Sequence, residues 1–262
     1  MNILCVGDIV GQPGRQAFLS LIASIKKAHS IDFTIVNAEN AAGGAGLTSK
    51  IADELLSGGA DVITLGDHVW DQKELEEYLK TSERVIRPAN FPEGVPGRGW
   101  VVHTAQNGVK VCVINLLGRI FMRYSVDCPF RTLEKIVSAV EGDDCITIVD
   151  MHAEATSEKV ALGHFINGRI AGIVGTHTHI QTADEKILSN GTAYLTDLGM
   201  TGPYDSVIGQ DKNNIIERFL TSMPIKFSVA NQDVVLCGVV ISVDEKSKKA
   251  TRIQRLQVPL AG

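Results

Sequence analysis

Five short apolar runs of the chain each end in side chains that can bind a metal ion or carry a proton. These side chains are Asp8, Glu39 with Asn40, Asp67 with His68, His152, and His177 with His179. Carboxylate and imidazole donors together suit manganese, iron or zinc better than calcium or magnesium. One tetrahedral zinc ion needs fewer donors than this set supplies. The set therefore favours two metal ions, and such pairs, roughly 3.5–4 Å apart, promote in-line phosphoryl displacement.

Each of these residues has a simpler structural explanation when it is taken alone. Asp8 could cap a helix, and His152 could be a core histidine bonded to Asp150. The other members could be ordinary turn or surface-loop residues. Five coincidences at strand ends nevertheless favour a joint metal site. In such a site Asp150, on the same strand face as His152, either orients that imidazole or is a simple strand-end acid.

The elements that must position these residues are short buried strands separated by helices. Predicted strands lie at 3–6, 33–36, 62–65, 109–115, 146–149 and 170–174. Apolar residues at helical spacing, such as Phe18, Ile22 and Ile25, indicate the helices between them. Strands that alternate with helices pair in parallel, and ligands bind beyond the carboxyl ends of such strands. We therefore expect the five groups to converge.

Three other patterns bear on the fold. Asp71 and Glu74 match a capping box, which predicts the start of a helix. Segment 87–108 is rich in proline and glycine and predicts a loop, and segment 225–258 predicts three antiparallel strands. No linker or repeat is apparent, so 1–262 is predicted to be a single domain. The predicted fold class is α/β, with two mixed sheets packed face to face and helices outside them.

Composition limits the class of partner. The net charge of −5 argues against stable nonspecific binding to nucleic acid, which favours basic proteins. Five widely spaced cysteines without a C-x-x-C pair fit a reducing cytoplasm. The N-terminus reaches Asp8 too early for a signal peptide, and no apolar run approaches the length of a membrane span. We expect a cytoplasmic protein without a membrane segment, and a homo-oligomer is left open.

The order of the motifs resembles the calcineurin-like metallophosphoesterases and, more closely, their bacterial YmdB-type group. The resemblance extends over nearly the whole chain and is carried by Gly-Asp-Ile-Val-Gly at 7–11, Asn-Ala-Glu-Asn at 37–40, Val-Asp-Met-His-Ala-Glu at 149–154, Gly-Thr-His-Thr-His at 175–179 and Thr-Asp-Leu-Gly-Met-Thr-Gly-Pro at 196–203. It implies a four-layer α/β/β/α sandwich and a centre of two divalent metal ions. It also implies hydrolysis of 2′,3′-cyclic nucleotides or related phosphodiesters.

The resemblance also implies a role for each residue of the site. One metal ion would be held by Asp8, Glu39, Asn40 and His179. The other would be held by Glu39, Asp67, His152 and His177, with Glu39 bridging the two. Iron or manganese are the expected metals, and zinc or magnesium are alternatives. A hydroxide bridging the metals would attack phosphorus in line, and His68, near the metals but not bound to them, would be the general acid.

Asp67 departs from the family pattern, which has asparagine at this place. The asparagine version puts three negative charges, including a bridging hydroxide, against two divalent ions, and Asp67 makes four. We expect tighter metal retention, a weaker Lewis acid and poorer attraction of the phosphate anion.

The substrate contacts and two rival functions complete the interpretation. Arg119, Phe121, Arg123 and Phe130 lie in an irregular loop and could hold phosphate and base, or they could form a solvated basic loop over a small apolar patch. The first rival function is a phosphomonoesterase or nucleotidase on the same scaffold. The second is a weakly active, metal-stabilised regulatory protein.

Overall fold

The computed structural model describes residues 1–260, which form a mixed α/β fold of two mixed sheets and six helices. The helices are α1 (Gly11–His29), α2 (Ser49–Gly58), α3 (Leu75–Thr81), α4 (Pro129–Val140), α5 (Thr156–Ile166) and α6 (Lys212–Thr221). The strands are β1 (Asn2–Val6), β2 (Asp8–Ile9), β3 (Phe33–Asn37), β4 (Val62–Thr64), β5 (Val85–Ile86), β6 (Trp100–Thr104), β7 (Lys110–Leu117), β8 (Cys145–His152), β9 (Gly172–Thr176), β10 (Lys186–Ile187), β11 (Ala193–Leu195), β12 (Met200–Pro203), β13 (Val234–Val243) and β14 (Ala250–Pro259).

The first sheet joins the beginning of the chain to its end. Its strand order is β2-β12-β13-β1-β3-β4-β5, and β14 also pairs with β13. Strands β1, β3, β4 and β5 run parallel, whereas β13 runs antiparallel to β1 and to β14. Because parallel strands end at the same edge of a sheet, the residues that follow β3 and β4 lie close together.

The second sheet has the order β10-β11-β9-β8-β7-β6. Its four central strands run parallel, and the edge strands β10 and β6 are antiparallel to their neighbours. Thr176, the last residue of β9, is paired with His152, the last residue of β8. The loop after β9, which carries His177 and His179, therefore begins beside His152.

Alternate residues of the strands pack in different hydrophobic cores, as the two-residue period of a strand requires. Leu4 belongs to a cluster that contains Phe18 of α1. Ile3 belongs to a second cluster that also contains Val113 and Ile148 of the other sheet. A third cluster joins the second sheet to α4 and α5. Burial on both faces explains why these strands read as continuous apolar runs.

Local chemistry explains where several helices begin. The Thr48 hydroxyl accepts a hydrogen bond of 3.3 Å from the Ile51 N–H at the start of α2. The Asp211 carboxylate accepts one of 2.9 Å from the Asn213 N–H at the start of α6. Helix α4 begins at Pro129, whose fixed φ suits a first helical turn. Among the described residues, no helix has both the length and the apolar character needed to cross a membrane.

The predicted capping box at Asp71 and Glu74 is wrong. Helix α3 begins at Leu75, and no side chain caps it. Glu74 Oε1 instead accepts hydrogen bonds from the Ser49 N–H and hydroxyl, at 3.0 and 3.1 Å, at the start of α2. The Asp71 carboxylate faces the imidazole of His68. Glu74 therefore contacts a distant residue, Ser49, and Asp71 contacts His68, three positions before it, and neither caps α3.

Two further boundaries differ from the prediction. Segment 87–108 is not all loop, because it contains β6, which pairs antiparallel with β7 at the edge of the second sheet. Segment 225–258 contains two strands, β13 and β14, instead of three. Its beginning has only an isolated bridge between Gln210 and Val229. The predicted combination of two mixed sheets with helices is confirmed.

Candidate metal centre

The side chains predicted to act together come from the ends of strands in both sheets. Glu39 and Asn40 follow β3, Asp67 and His68 follow β4, and Asp8 is the first residue of β2. His152 ends β8, and His177 and His179 follow β9. The first sheet thus supplies every oxygen donor of the predicted set, and the second sheet supplies the imidazoles of His152, His177 and His179.

Four of these residues form a tight cluster. Glu39, Asp67, His152 and His177 each offer one ligand atom, and these atoms all lie within 4.8 Å of one another. The Nε2 atom of His152 is 2.9 Å from Glu39 Oε1 and 3.2 Å from Asp67 Oδ1. His177 Nδ1 is 3.0 Å from His152 Nε2. A Cβ atom at Gly66 would collide with the Glu39 carboxylate and the His152 ring, so the turn before Asp67 requires glycine.

Asp8, Asn40 and His179 form a second, looser group beside the first. Asn40 Nδ2 is 3.2 Å from His179 Nε2, which in turn is 3.9 Å from Asp8 Oδ1. The Nδ1–H of His179 donates to the Ile208 carbonyl at 2.9 Å. This bond fixes the tautomer and leaves Nε2 with a free lone pair, as a metal ligand requires. Glu39 connects the two groups, because its Oε1 atom is 3.3 Å from Asn40 Nδ2.

The residues present fit a cationic cofactor. Asp8 Oδ1 is buried and has no hydrogen-bond partner among residues 1–260. Burial raises the pKa of Asp8, and the neighbouring carboxylates of Asp197 and Glu39 raise it further, against the opposing effect of His152. Several buried carboxylates at such short distances need positive charge nearby. Two divalent ions would supply that charge, and Asp8 Oδ1 is an available ligand atom.

The nearby carboxylates also change the pKa of His152. Burial alone would lower the pKa of His152, but the charge of Glu39 and the hydrogen bonds to Asp67 and Glu39 raise it well above its ordinary value. Burial raises the pKa of Asp67, yet the hydrogen bonds from His152 and His177 outweigh it and hold that pKa well below the usual range. His152 and the carboxylates of Glu39 and Asp67 therefore favour one another's charged forms.

Outer contacts hold the imidazoles in place. His152 Nδ1 is 2.8 Å from Thr176 Oγ1, and that hydroxyl donates to Asp150 Oδ1 at 2.7 Å. Asp150 thus reaches His152 through Thr176 and does not touch it directly. His177 Nε2 is 3.4 Å from Glu154 Oε2. Carboxylates placed behind imidazoles in this way orient the ring and fix its protonated nitrogen.

His68 lies beside the cluster and is not one of the four tightly grouped residues. Its backbone N–H donates to Glu39 Oε2 at 3.0 Å. Its Nδ1 is 2.7 Å from Asp71 Oδ2, and Arg123 donates to the other Asp71 oxygen at 3.0 Å. Burial lowers the pKa of His68, but the Glu39 charge and the Asp71 hydrogen bond outweigh burial and raise it. Asp71 was predicted to cap a helix, and that prediction did not include its contact with His68.

A cleft opens over both ligand groups. It is lined by Glu39, Asn40, Gly44, His68, Glu154, His177, Thr178, His179, Ile208 and Gln210. Arg119, Phe121 and Phe130, predicted to contact substrate, do not line this cleft. Phe130 packs edge-on against Phe165, with ring centroids 5.5 Å apart, and Phe121 is 87% exposed. The predicted site also omitted Gly44, Ile208 and Gln210 of the cleft, because these residues are not typical metal ligands.

Comparison with known proteins identifies the family. The family model described as "YmdB-like protein" matches residues 4–256. A 2′,3′-cyclic-nucleotide 2′-phosphodiesterase of Bacillus subtilis (strain 168) is 47% identical over 258 residues, which are 98% of this chain and 97% of that protein. A hypothetical protein from Thermus thermophilus has a structure with a TM-score of 0.92 and 37% identity, covering 99% of both chains. A phosphatase structure from Mycoplasma pneumoniae has a TM-score of 0.92 and 33% identity, covering 99% of this chain and 93% of the other.

These matches extend over almost the entire chain and confirm the resemblance predicted from its motifs. The chain belongs to the YmdB-like family.

Proposed function

We propose that the protein is a phosphodiesterase with two metal ions that hydrolyses 2′,3′-cyclic nucleotides or related phosphodiesters. The observation that carries this proposal is the pair of adjoining ligand groups that share Glu39, with His68 beside them. The name of the relative from Bacillus subtilis supports the substrate class. An open cleft over the ligand groups gives a phosphodiester access to them.

The two groups would hold the metals as the family resemblance implies. Asp8, Glu39, Asn40 and His179 form one ligand set, and Glu39, Asp67, His152 and His177 form the other. Iron or manganese suit this mixture of carboxylate and imidazole ligands. When bound, such a pair supplies an acidified water and offsets the negative charge of the phosphate.

The remaining chemistry falls to the chain's own residues. His68 would donate a proton to the departing ribose oxygen, and its position in the cleft next to Glu39 supports this role. Asp71 accepts from the Nδ1–H of His68 and so directs the opposite ring nitrogen, Nε2, away from itself. Arg123 holds the other oxygen of Asp71. A positioned general acid of this kind contributes about 10²–10⁴-fold to the rate.

Metal analysis and a substrate panel test this proposal. We expect elemental analysis to find two metal ions per chain, and 2′,3′-cyclic AMP to be hydrolysed faster than 3′-AMP or bis-p-nitrophenyl phosphate. Faster hydrolysis of 3′-AMP would identify a phosphomonoesterase or nucleotidase. This rival function is relevant because the similar structure from Mycoplasma pneumoniae is described as a phosphatase. Retained metal with no hydrolysis of any substrate would identify the metal-stabilised regulatory protein.

Asp67→Asn tests the extra charge at the site. Two unit charges 4 Å apart interact by about 4 kcal/mol at an effective dielectric constant of 20, and bound metals offset most of this repulsion of the phosphate. We therefore expect Asp67→Asn to raise the hydrolysis rate of 2′,3′-cyclic AMP by about tenfold, which corresponds to roughly 1.4 kcal/mol of activation free energy. We also expect it to weaken metal retention. Rates are to be compared at equal metal content. An unchanged rate would contradict the proposed effect of Asp67.

We infer further that the layers run helix, sheet, sheet, helix within a single domain covering 1–262. The support is the arrangement of three hydrophobic cores. One joins α1 to the first sheet, one is shared by the two sheets, and one joins the second sheet to α4 and α5. A cytoplasmic location agrees with five free cysteines, and a homo-oligomer stays an open prediction.

A further inference from the structure

A buried ion pair lies directly behind the loop that carries two of the predicted metal ligands. Lys159, in the first turns of α5, has a side chain that is 2% exposed, and the side chain of Asp197 is fully buried. Lys159 Nζ donates to Asp197 Oδ2 at 2.8 Å and to the Thr176 carbonyl at 2.7 Å. Burying two opposite charges has a large desolvation penalty. The pair is therefore weak evidence for stability and better evidence for a positional requirement.

Asp197 connects the pair to the predicted ligands on one side. Its Oδ2 atom accepts from the Thr178 N–H at 3.2 Å and from the Thr178 hydroxyl at 2.8 Å. Thr178 lies between His177 and His179 in the chain. By holding Thr178, Asp197 therefore restrains the backbone of both predicted ligands. The Thr176 carbonyl, at the start of the same loop, is held by Lys159.

Asp197 also acts, through Gly199, on Asp8, one of the predicted ligands of the first sheet. Its Oδ1 atom accepts from the Gly199 N–H at 2.8 Å. The Gly199 carbonyl accepts from the Asp8 N–H at 3.1 Å, and the Asp8 carboxylate accepts from the His177 N–H at 3.2 Å. One buried carboxylate therefore organises backbone on both sides of the site.

The loop needs such an anchor because its backbone is strained. His177 has a φ of 99° and His179 has a φ of 64°, and residues other than glycine rarely adopt this region. Strain of this kind persists only where the surroundings over-determine the conformation. Gly175 lies before this loop, and a Cβ atom there would collide with the Thr196 carbonyl and come within 2.9 Å of Lys159 Cδ, so the close packing of this strand against its neighbours requires glycine.

We propose that Lys159 and Asp197 are positioning residues that hold Asp8, His177 and His179 in the geometry for metal binding. This inference rests on the proposed metal-dependent function. Asp197 holds Thr178, between His177 and His179, and acts on the Asp8 backbone through Gly199. Lys159 holds the buried carboxylate of Asp197 in place. Neither residue touches the substrate.

Calorimetric titration of metal-free protein with Mn²⁺ tests the inference. We expect wild type to bind two ions and Lys159→Met to bind Mn²⁺ roughly 10–100-fold more weakly, as loss of an outer partner of a metal ligand does. Leu162→Ala is the matched control. Leu162 is fully buried in α5 and packs in the hydrophobic cluster that joins the second sheet to α4 and α5. This control should lower the melting temperature and leave the Mn²⁺ affinity unchanged.

Thr178→Val gives a second test that does not remove a charge. It deletes one hydrogen bond to Asp197 and keeps the volume of the side chain, so we expect about tenfold weaker Mn²⁺ binding, restored in Thr178→Ser. If Lys159→Met does not fold, the comparison of Thr178→Val with Thr178→Ser tests the inference. Unchanged Mn²⁺ affinity in folded Lys159→Met, or in Thr178→Val, would overturn the inference. Wild type that binds neither Mn²⁺ nor Fe²⁺ would instead overturn the proposed function.

Discussion

Replacing His68 by alanine is expected to lower kcat for 2′,3′-cyclic AMP by about 10²–10⁴-fold, the usual contribution of a general acid, while two metal ions stay bound. The substitution removes the imidazole and its contact with Asp71. It leaves the backbone N–H that donates to Glu39, and it removes no member of the tight ligand cluster. The leaving ribose oxygen would then depart without a proton donor.

The measurement is kcat together with metal content for the same preparation. Asp71→Asn should give a smaller decrease, because the imidazole remains but loses the carboxylate that orients it. Asp53→Asn serves as a control, since Asp53 accepts from the Tyr78 hydroxyl at 2.7 Å and does not line the cleft. Loss of metal from His68→Ala would show that His68 is a ligand and would refute its role as proton donor.

Glu39→Gln is expected to abolish binding of both metal ions and, with it, measurable hydrolysis. Glu39 is fully enclosed, with Oε1 2.9 Å from His152 Nε2 and Oε2 accepting from the His68 N–H. Glutamine keeps the volume of the side chain but removes the charge that the two proposed ligand sets share. We expect the affinity for Mn²⁺ to fall by more than about 100-fold, beyond the effect typical of an outer partner.

Elemental analysis and melting curves with and without a chelator check this prediction. A ligand that binds only the folded state raises its stability, so a chelator should lower the melting temperature of wild type and leave that of Glu39→Gln unchanged. Glu134→Gln is the matched control, because Glu134 is more than half exposed, lies 3.9 Å from Arg169 Nη1 and does not line the cleft, so a chelator should lower its melting temperature as it does that of wild type. Glu39→Gln with two tightly bound ions would show that Glu39 does not bridge them.

The candidate site could be predicted from sequence because its residues end short apolar strands. The strand ends of Glu39, Asp67 and His152 are recognisable from local composition, and parallel pairing within each sheet brings such ends together. How the two sheets meet is not encoded in any local pattern. The 2.9 Å contact between His152 and Glu39, across the two sheets, was therefore visible only in the structure.

Errors arose where one local pattern serves a distant partner. Glu74 has the spacing of a capping residue, yet it bonds Ser49, 25 positions away. Segment 87–108 has the prolines and glycines of a loop, but β6 between them gains its hydrogen bonds from β7. The burial of Lys159 likewise depends on a distant partner, because its Nζ atom donates to Asp197, 38 positions away.

The separation of donor types between the sheets makes metal binding a property of their association. In the proposed ligand sets every oxygen comes from the first sheet and every nitrogen from the second. Neither sheet alone supplies a complete proposed ligand set, so each ion would cross-link two sheets that also meet through a shared apolar core and through buried hydrogen bonds, such as that from Asn37 Nδ2 to Asp150 Oδ2 at 3.1 Å. Metal occupancy would then be coupled to the association of the two sheets. Removal of the metal ions would weaken that association as well as abolish hydrolysis.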